Sequence, residues 1–194
     1  ERAASTGKVA FRKRLDGGYT VAGGFVTVAE IVPDSFRLLF DFLPALRAER
    51  RSLRLRVGRQ FVDEWRTPRR WPLDQPTPFE KTRVLDPEPI EKLNQEATAR
   101  LDQAFPIFAK AQIAQQWAGL IDVTPDAVPV ISPIDSVPGF FVATGFSGHG
   151  FGIGPGAGRL MADLVTGDPP IVDPAPFRFT RFTDGSHPRP HAGL

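Results

Sequence analysis

From Gly148 to Gly158 every second residue is glycine, and Gly145 precedes the run. Such a segment must either take backbone angles closed to other residues or admit something where no Cβ would fit, and each glycine costs conformational entropy on folding. The apolar residues Phe140–Thr144 ahead of it have the length and character of a buried strand, and Gly158–Val165 reads as a helix stopped by Gly167 and Asp168-Pro169-Pro170. The motif is therefore strand, glycine loop, helix. A helix start offers unpaired N–H groups and the positive end of a dipole, so an anionic or electron-rich group can rest there. Pro155 near the expected first turn suits that geometry, because the helix does not need its missing N–H.

The rest of the 194-residue chain is ordinary for a globular protein, with 41% hydrophobic and 24% charged residues. A formal charge of +2 is weak evidence for any anionic partner. The arginines between Arg47 and Arg70 are interrupted by Glu49, Asp63 and Glu64 and carry no recognition motif, so no nucleic acid is expected. With no apolar run of about 18 residues and no charged-then-apolar leader, neither a membrane span nor secretion is expected, and the default is cytoplasmic. The absence of cysteine excludes disulfides and thiolate chemistry. Two of the three histidines, His187 and His191, fall in a Pro-rich tail over 183–194 expected to be flexible, so no metal site is expected. The chain begins at Glu1 and has its single methionine at Met161, which suggests a processed subunit or a piece of a longer polypeptide.

Ahead of the glycine loop, Asp16-Gly17-Gly18 between Val9–Leu15 and Tyr19–Val21 signals a hairpin. Phe36–Leu46 has helical apolar spacing with Asp34 or Ser35 as cap, and Ser52–Val62 alternates as a half-buried strand would. The prolines of Thr67–Pro89 predict a long irregular crossing, followed by a helix over Pro89–Phe105. Trp117–Val123 and Val128–Ile131 read as strands joined by a turn at Thr124-Pro125-Asp126, with a further turn at Asp135–Gly139. These elements predict an α+β fold, with a mixed, largely antiparallel sheet backed by helices over 1–112 and the strand-loop-helix in 113–182.

The alternating glycines hold no Gly-x-Gly-x-x-Gly register, so a pyrophosphate site is a weak reading. A flavin ring fits better, since its reduced form carries negative charge that a helix start stabilises, while glycine backbone can lie along the ring edge. A tight turn with glycines permitting close packing accounts for the spacing equally well.

Gly145-Phe146-Ser147-Gly148-His149-Gly150-Phe151, continuing into Gly156-Ala157-Gly158-Arg159-Leu160-Met161-Ala162-Asp163-Leu164, resembles the C-terminal flavin motif of the FAD-dependent amine oxidoreductases related to D-amino-acid oxidase, especially the sarcosine oxidase branch. Upstream, Trp117 to Ser132 resembles that family's passage from substrate sheet to flavin domain. The likeness covers about 113–182, and 1–112 resembles the family's substrate domain loosely.

The resemblance implies FAD as cofactor, with Gly145, Phe146, Ser147, Gly148, His149, Gly150, Phe151 and Gly152 facing the ring. It implies a small amine or amino acid as substrate, oxidised at its C–N bond by hydride transfer to flavin N5. Departures limit the transfer. Gly119 stands where monomeric sarcosine oxidases place a flavin-linking cysteine, Ile121 where several relatives place arginine or tyrosine, and Gly152 where a carboxylate-binding lysine stands. The family's N-terminal Rossmann-type unit is absent from these residues, so an N-terminal FAD-binding half or a companion chain is expected to complete the site. Spacing marks no catalytic acid or base. Tyr19, Arg69, Arg70 and Trp71 are candidate substrate-side residues, because aromatics and arginines beside irregular segments can line a pocket. A non-catalytic fragment or interaction subunit that holds no cofactor remains the alternative.

Overall fold

The structure, a computed structural model, describes residues 2–23, 26–186 and 188. His187, His191 and most of the expected tail lie outside the described residues. The chain divides into two compact units, one formed by 1–32 and 51–120, the other by 33–50 and 121–194.

The first unit opens with three antiparallel strands, β1 (Ala3–Ser5), β2 (Val9–Lys13) and β3 (Tyr19–Gly23). The predicted hairpin is present: Phe11 faces Val21, Arg14 N–H bonds Gly18 O at 2.8 Å, and the Asp16 carboxylate accepts from Gly18 N–H at 3.0 Å. Helix α5 (Glu91–Ala104) packs on this sheet, with Val9, Phe11 and Leu101 buried together. Gly23 is what lets it approach, since a Cβ there would run into Ala97. The rings of Phe105 and Phe108 lie 5.1 and 5.0 Å from that of Phe11, which closes the core over the helix end.

Two strand expectations here are corrected. The predicted strand over 52–62 is pleated only in β5 (Leu53–Arg56), which pairs in parallel with β4 (Thr27–Glu30). Its partner ends at Glu30; Gly58 then opens helix α3 (Arg59–Arg66), and Leu55 and Val57 are exposed. Likewise, one mixed sheet was expected over 1–112, but the described residues there form two separate sheets, the antiparallel β1-β2-β3 and the parallel β4-β5. Strands of three to five residues have little edge with which to recruit another strand. The Pro-rich crossing is irregular as expected, apart from one turn of helix, α4 (Pro78–Lys81), capped by Thr77 and Glu80.

In the second unit, the helix predicted over 36–46 is two pieces, α1 (Pro33–Arg37) and α2 (Leu39–Ala48), bent at Leu38 with φ −100° and ψ 10°. Asp34 is no cap; it lies inside the first turn and pairs with Arg37 at 3.2 Å. Strands β6 (Val130–Pro133) and β7 (Phe141–Thr144) form the antiparallel pair that carries the loop, with Val130 opposite Thr144. Helix α6 (Gly150–Thr166) packs Ala157 and Leu160 on Ile131, with Phe146, Met161, Leu164 and Phe177 around them. Fully burying Leu160 is worth about 1.5–3 kcal/mol, enough to hold the later turns of a helix with glycine at every second place of its first half.

Helix α6 begins eight residues before the predicted start at Gly158. The carbonyl of His149 accepts from both Gly152 N–H and Ile153 N–H, at 3.0 and 3.2 Å, and this starts the ladder inside the glycine run. Pro155 consequently lies inside the helix and not at its first turn. The predicted stop is observed: Gly167 has φ 76° and its N–H bonds Asp163 O.

Candidate functional site

The loop between β7 and α6 is held against an extended strap, Ile121–Thr124. A strand was predicted over Trp117–Val123; instead, the strap makes its bonds to the loop and joins no ladder. One carboxylate oxygen of Asp122 accepts from both the Thr144 hydroxyl and Gly145 N–H, each at 2.6 Å. The Asp122 carbonyl accepts from Ser147 N–H at 2.9 Å, and Thr124 N–H donates to Ser147 Oγ at 3.2 Å. Gly145 is buried with φ 70°, and a Cβ at this position would overlap the Thr124 methyl. Chain geometry therefore demands glycine at the point where strap and loop touch.

Ser147 also takes a left-handed conformation, φ 50°, which is uncommon for a residue with a side chain. It is buried, and its hydroxyl donates back to Gly145 O at 3.2 Å, so the strained turn is fixed from inside. Gly148 follows at φ 83°. Three left-handed residues among four reverse the chain sharply, and His149 then caps α6 with its backbone while its side chain makes no cap bond.

The start of α6 is open. Among the described residues neither Gly150 N–H nor Phe151 N–H meets an acceptor, and Phe151 is 97% exposed. Along the helix, a Cβ at Gly152, Gly154, Gly156 or Gly158 would meet nothing within 4 Å. Glycine is thus required by internal packing at Gly145 but not at these four positions. The arrangement can receive a flat, electron-rich group against backbone alone, at the positive end of the helix dipole.

Of the residues predicted to face a cofactor, Gly145 to His149 form the loop, while Gly150, Phe151 and Gly152 form the first turn of α6. The substrate-side candidates all fall in the first unit. Tyr19 is 39% exposed on β3, with its ring edge-on to Phe11 and Phe108. Trp71 is half-buried and edge-on to Phe79 at 5.7 Å, and Arg69 and Arg70 are exposed beside it. Among the described residues no ring contact joins Tyr19 to Trp71. Asp122 and Thr124 were not singled out by sequence reasoning. The available signal was a carboxylate set among Leu120, Ile121 and Val123.

A buried pair braces the strap from its far end. Arg181 bonds Asp126 at 2.8 and 3.1 Å and also donates to Val128 O at 2.6 Å, with both side chains almost wholly enclosed. Burial alone would raise the Asp126 carboxyl. The bonds from Arg181, Val128 N–H and Thr124 outweigh it and leave the group below its ordinary value. A separate open pocket of about 370 Å³ is lined by Phe40, Asp41, Pro44, Pro125, Phe182 and Thr183 among others, and none of residues 145–152 borders it. No helix among the described residues is long and apolar enough to cross a membrane.

The sequence pattern of the family described as "DAO: FAD dependent oxidoreductase" matches residues 8–164, taking in most of the stretch whose likeness was only loose. The chain is 34% identical over 93 residues to a glycine oxidase from Pseudomonas aeruginosa, covering 48% of this chain and 26% of that protein. It is 38% identical over 93 residues to sarcosine oxidase subunit beta from an Arthrobacter species, covering 47% of this chain and 22% of that protein. Among solved structures, L-amino acid deaminase from Proteus myxofaciens, in complex with anthranilate, superposes with a TM-score of 0.85 at 31% identity, over 92% of this chain and 40% of that one. The chain thus spans about a quarter of the length of these curated relatives and two-fifths of that structure.

Proposed function

Since the chain belongs to the DAO family of FAD-dependent oxidoreductases, we propose that it forms the flavin-facing and part of the substrate-facing portion of an enzyme that oxidises the C–N bond of an amine or amino acid. The observation that carries this is the open start of α6, where two unpaired N–H groups follow a loop locked in left-handed conformations. FAD, when bound, supplies the acceptor for a hydride leaving the carbon next to nitrogen, which yields an imine. Gly145 to Gly152 would hold the ring, with Gly150 and Phe151 N–H as donors available to an electron-rich group and the alternate glycines setting no Cβ against it. One helix start contributes about 0.3–1 kcal/mol, or up to ~2 when partly buried.

Residues 1–112 serve the substrate side, 113–182 the ring and 183–194 a tail, with 33–50 grouping with the second unit. Tyr19 and Trp71 supply apolar walls, and Arg69 or Arg70 takes a carboxylate through a bidentate bond, since Ile121 and Gly152 offer none. An N-terminal FAD-binding half, in the same protein or as a companion chain, holds the phosphates. The names of the relatives support this direction, two being amino-acid or amine oxidases and one an amino acid deaminase.

The test is FAD uptake followed by anaerobic addition of amino acids and N-methyl amino acids. A yellow protein bleached by one of these substrates is expected. A preparation that stays colourless even when its N-terminal half is supplied would overturn the proposal and favour an interaction subunit.

A further inference from the structure

Asp122 is exposed, yet both its side chain and its backbone are committed to the glycine loop. The two bonds to its carboxylate, at 2.6 Å from Thr144 Oγ1 and Gly145 N, are short and charge-assisted, the stronger class of hydrogen bond. Its carbonyl takes Ser147 N–H two residues further on. These contacts bracket the left-handed residues Gly145 and Ser147, and the chain then runs through Gly148 and His149 into the open N–H groups of α6. A shift at Gly145 is therefore passed directly to the helix start.

We propose that Asp122 is a positioning residue for the flavin-facing loop: by clamping Thr144 and Gly145 it sets the place and direction in which Gly150 and Phe151 N–H point at the ring. The proposal rests on the function given above, but the clamp itself exists without flavin. Asp122 touches no reacting atom in this role. It acts through the backbone it holds.

The test compares Asp122→Ala, Asp122→Asn and Thr144→Val in the flavin-loaded enzyme and in the flavin-free chain. In the loaded enzyme, Asp122→Ala should weaken FAD binding about tenfold to a hundredfold, the scale of a lost hydrogen bond to a charged group, and should alter the visible circular dichroism of the bound flavin. Asp122→Asn should recover most of both, since its amide oxygen can accept the same two donors, and Thr144→Val should cost less than Asp122→Ala. In the flavin-free chain, amide exchange at Ser147 and His149, which the Asp122 side chain does not bond, should quicken in Asp122→Ala. A purely structural acid would lower the melting temperature and leave the affinity and dichroism unchanged, and that result would overturn the proposal. If the unsubstituted protein takes up no FAD, the functional reading fails by itself. The exchange arm then decides the clamp, with unaltered Ser147 and His149 exchange counting against it. Should Asp122→Ala fail to fold, the Asn and Val variants are read alone, and Thr144→Val with unchanged affinity and exchange refutes the clamp.

Discussion

Arg181 and Asp126, 55 residues apart in sequence, meet through two hydrogen bonds at 2.8 and 3.1 Å with their side chains 3% and 4% exposed. This pair joins the segment after α6 to the turn beside the strap. Removing either partner strands the other charge, and that costs far more than the pair contributes as a whole.

Arg181→Met should accordingly destabilise the fold by about 3–5 kcal/mol, whereas the double change Arg181→Met with Asp126→Leu should cost markedly less. Denaturant titration of the two variants measures this. A double variant as unstable as the single one would show that the charge left behind is not the problem.

Acid should weaken the same pair. The folded Asp126 carboxyl lies below its unfolded value of 3.8, so it stabilises the fold above that pH and loses this contribution as pH falls through the folded value. Asp184, bonded by Ser186 and Arg178, is lowered to about 2 but is exposed and should matter little. The melting temperature should drop as pH falls below about 4, and Asp126→Asn, though less stable at neutral pH, should drop less steeply.

Gly145→Ala should destabilise the chain by about 1–3 kcal/mol from its left-handed backbone, with further loss from overlap with Thr124. Gly152→Ala and Gly156→Ala should act oppositely. Each enters open helical surface and should stabilise the flavin-free chain by up to about 1 kcal/mol. If the proposed ring lies on this face, both should weaken FAD binding. Thermal melts with and without FAD separate the two effects, and a rise in both conditions would remove the ring from this face.

Leu160→Ala should cost about 2–5 kcal/mol, because Leu160 is 1% exposed in the core against Ile131. A loss below 1 kcal/mol in chemical denaturation would mean that α6 is not anchored there.

Local chemistry made parts of this fold legible. Asp16-Gly17-Gly18 marked its hairpin, and Gly167 marked the end of α6, because both are turns that one or two residues dictate. Apolar spacing located the helical stretch over 36–46 but not which of its residues are covered: Phe36 and Phe40 share that spacing and are 64% and 83% exposed. The start of α6 was hidden because glycine is the weakest helix former short of proline, and tertiary packing at Ala157 and Leu160 overrode that preference. The glycine loop was found from sequence, but the Asp122–Thr124 strap was not. Its bonds reach residues 22 and 23 positions away, and no local pattern records them.

The glycines of α6 have a thermodynamic consequence. A helix whose first two turns carry glycine at alternate positions, with open space where Cβ atoms would stand at Gly152, Gly154 and Gly156, should have a low free energy of local opening, while the turns around Leu160 open only with the whole unit. Whatever occupies the helix start then orders part of the chain as it binds. At a concentration of 100 times its dissociation constant, such a ligand adds about 2.7 kcal/mol to the stability of the bound state. Occupancy and folding of that helix end become one equilibrium, and protection of its amides from exchange becomes a direct measure of ligand saturation.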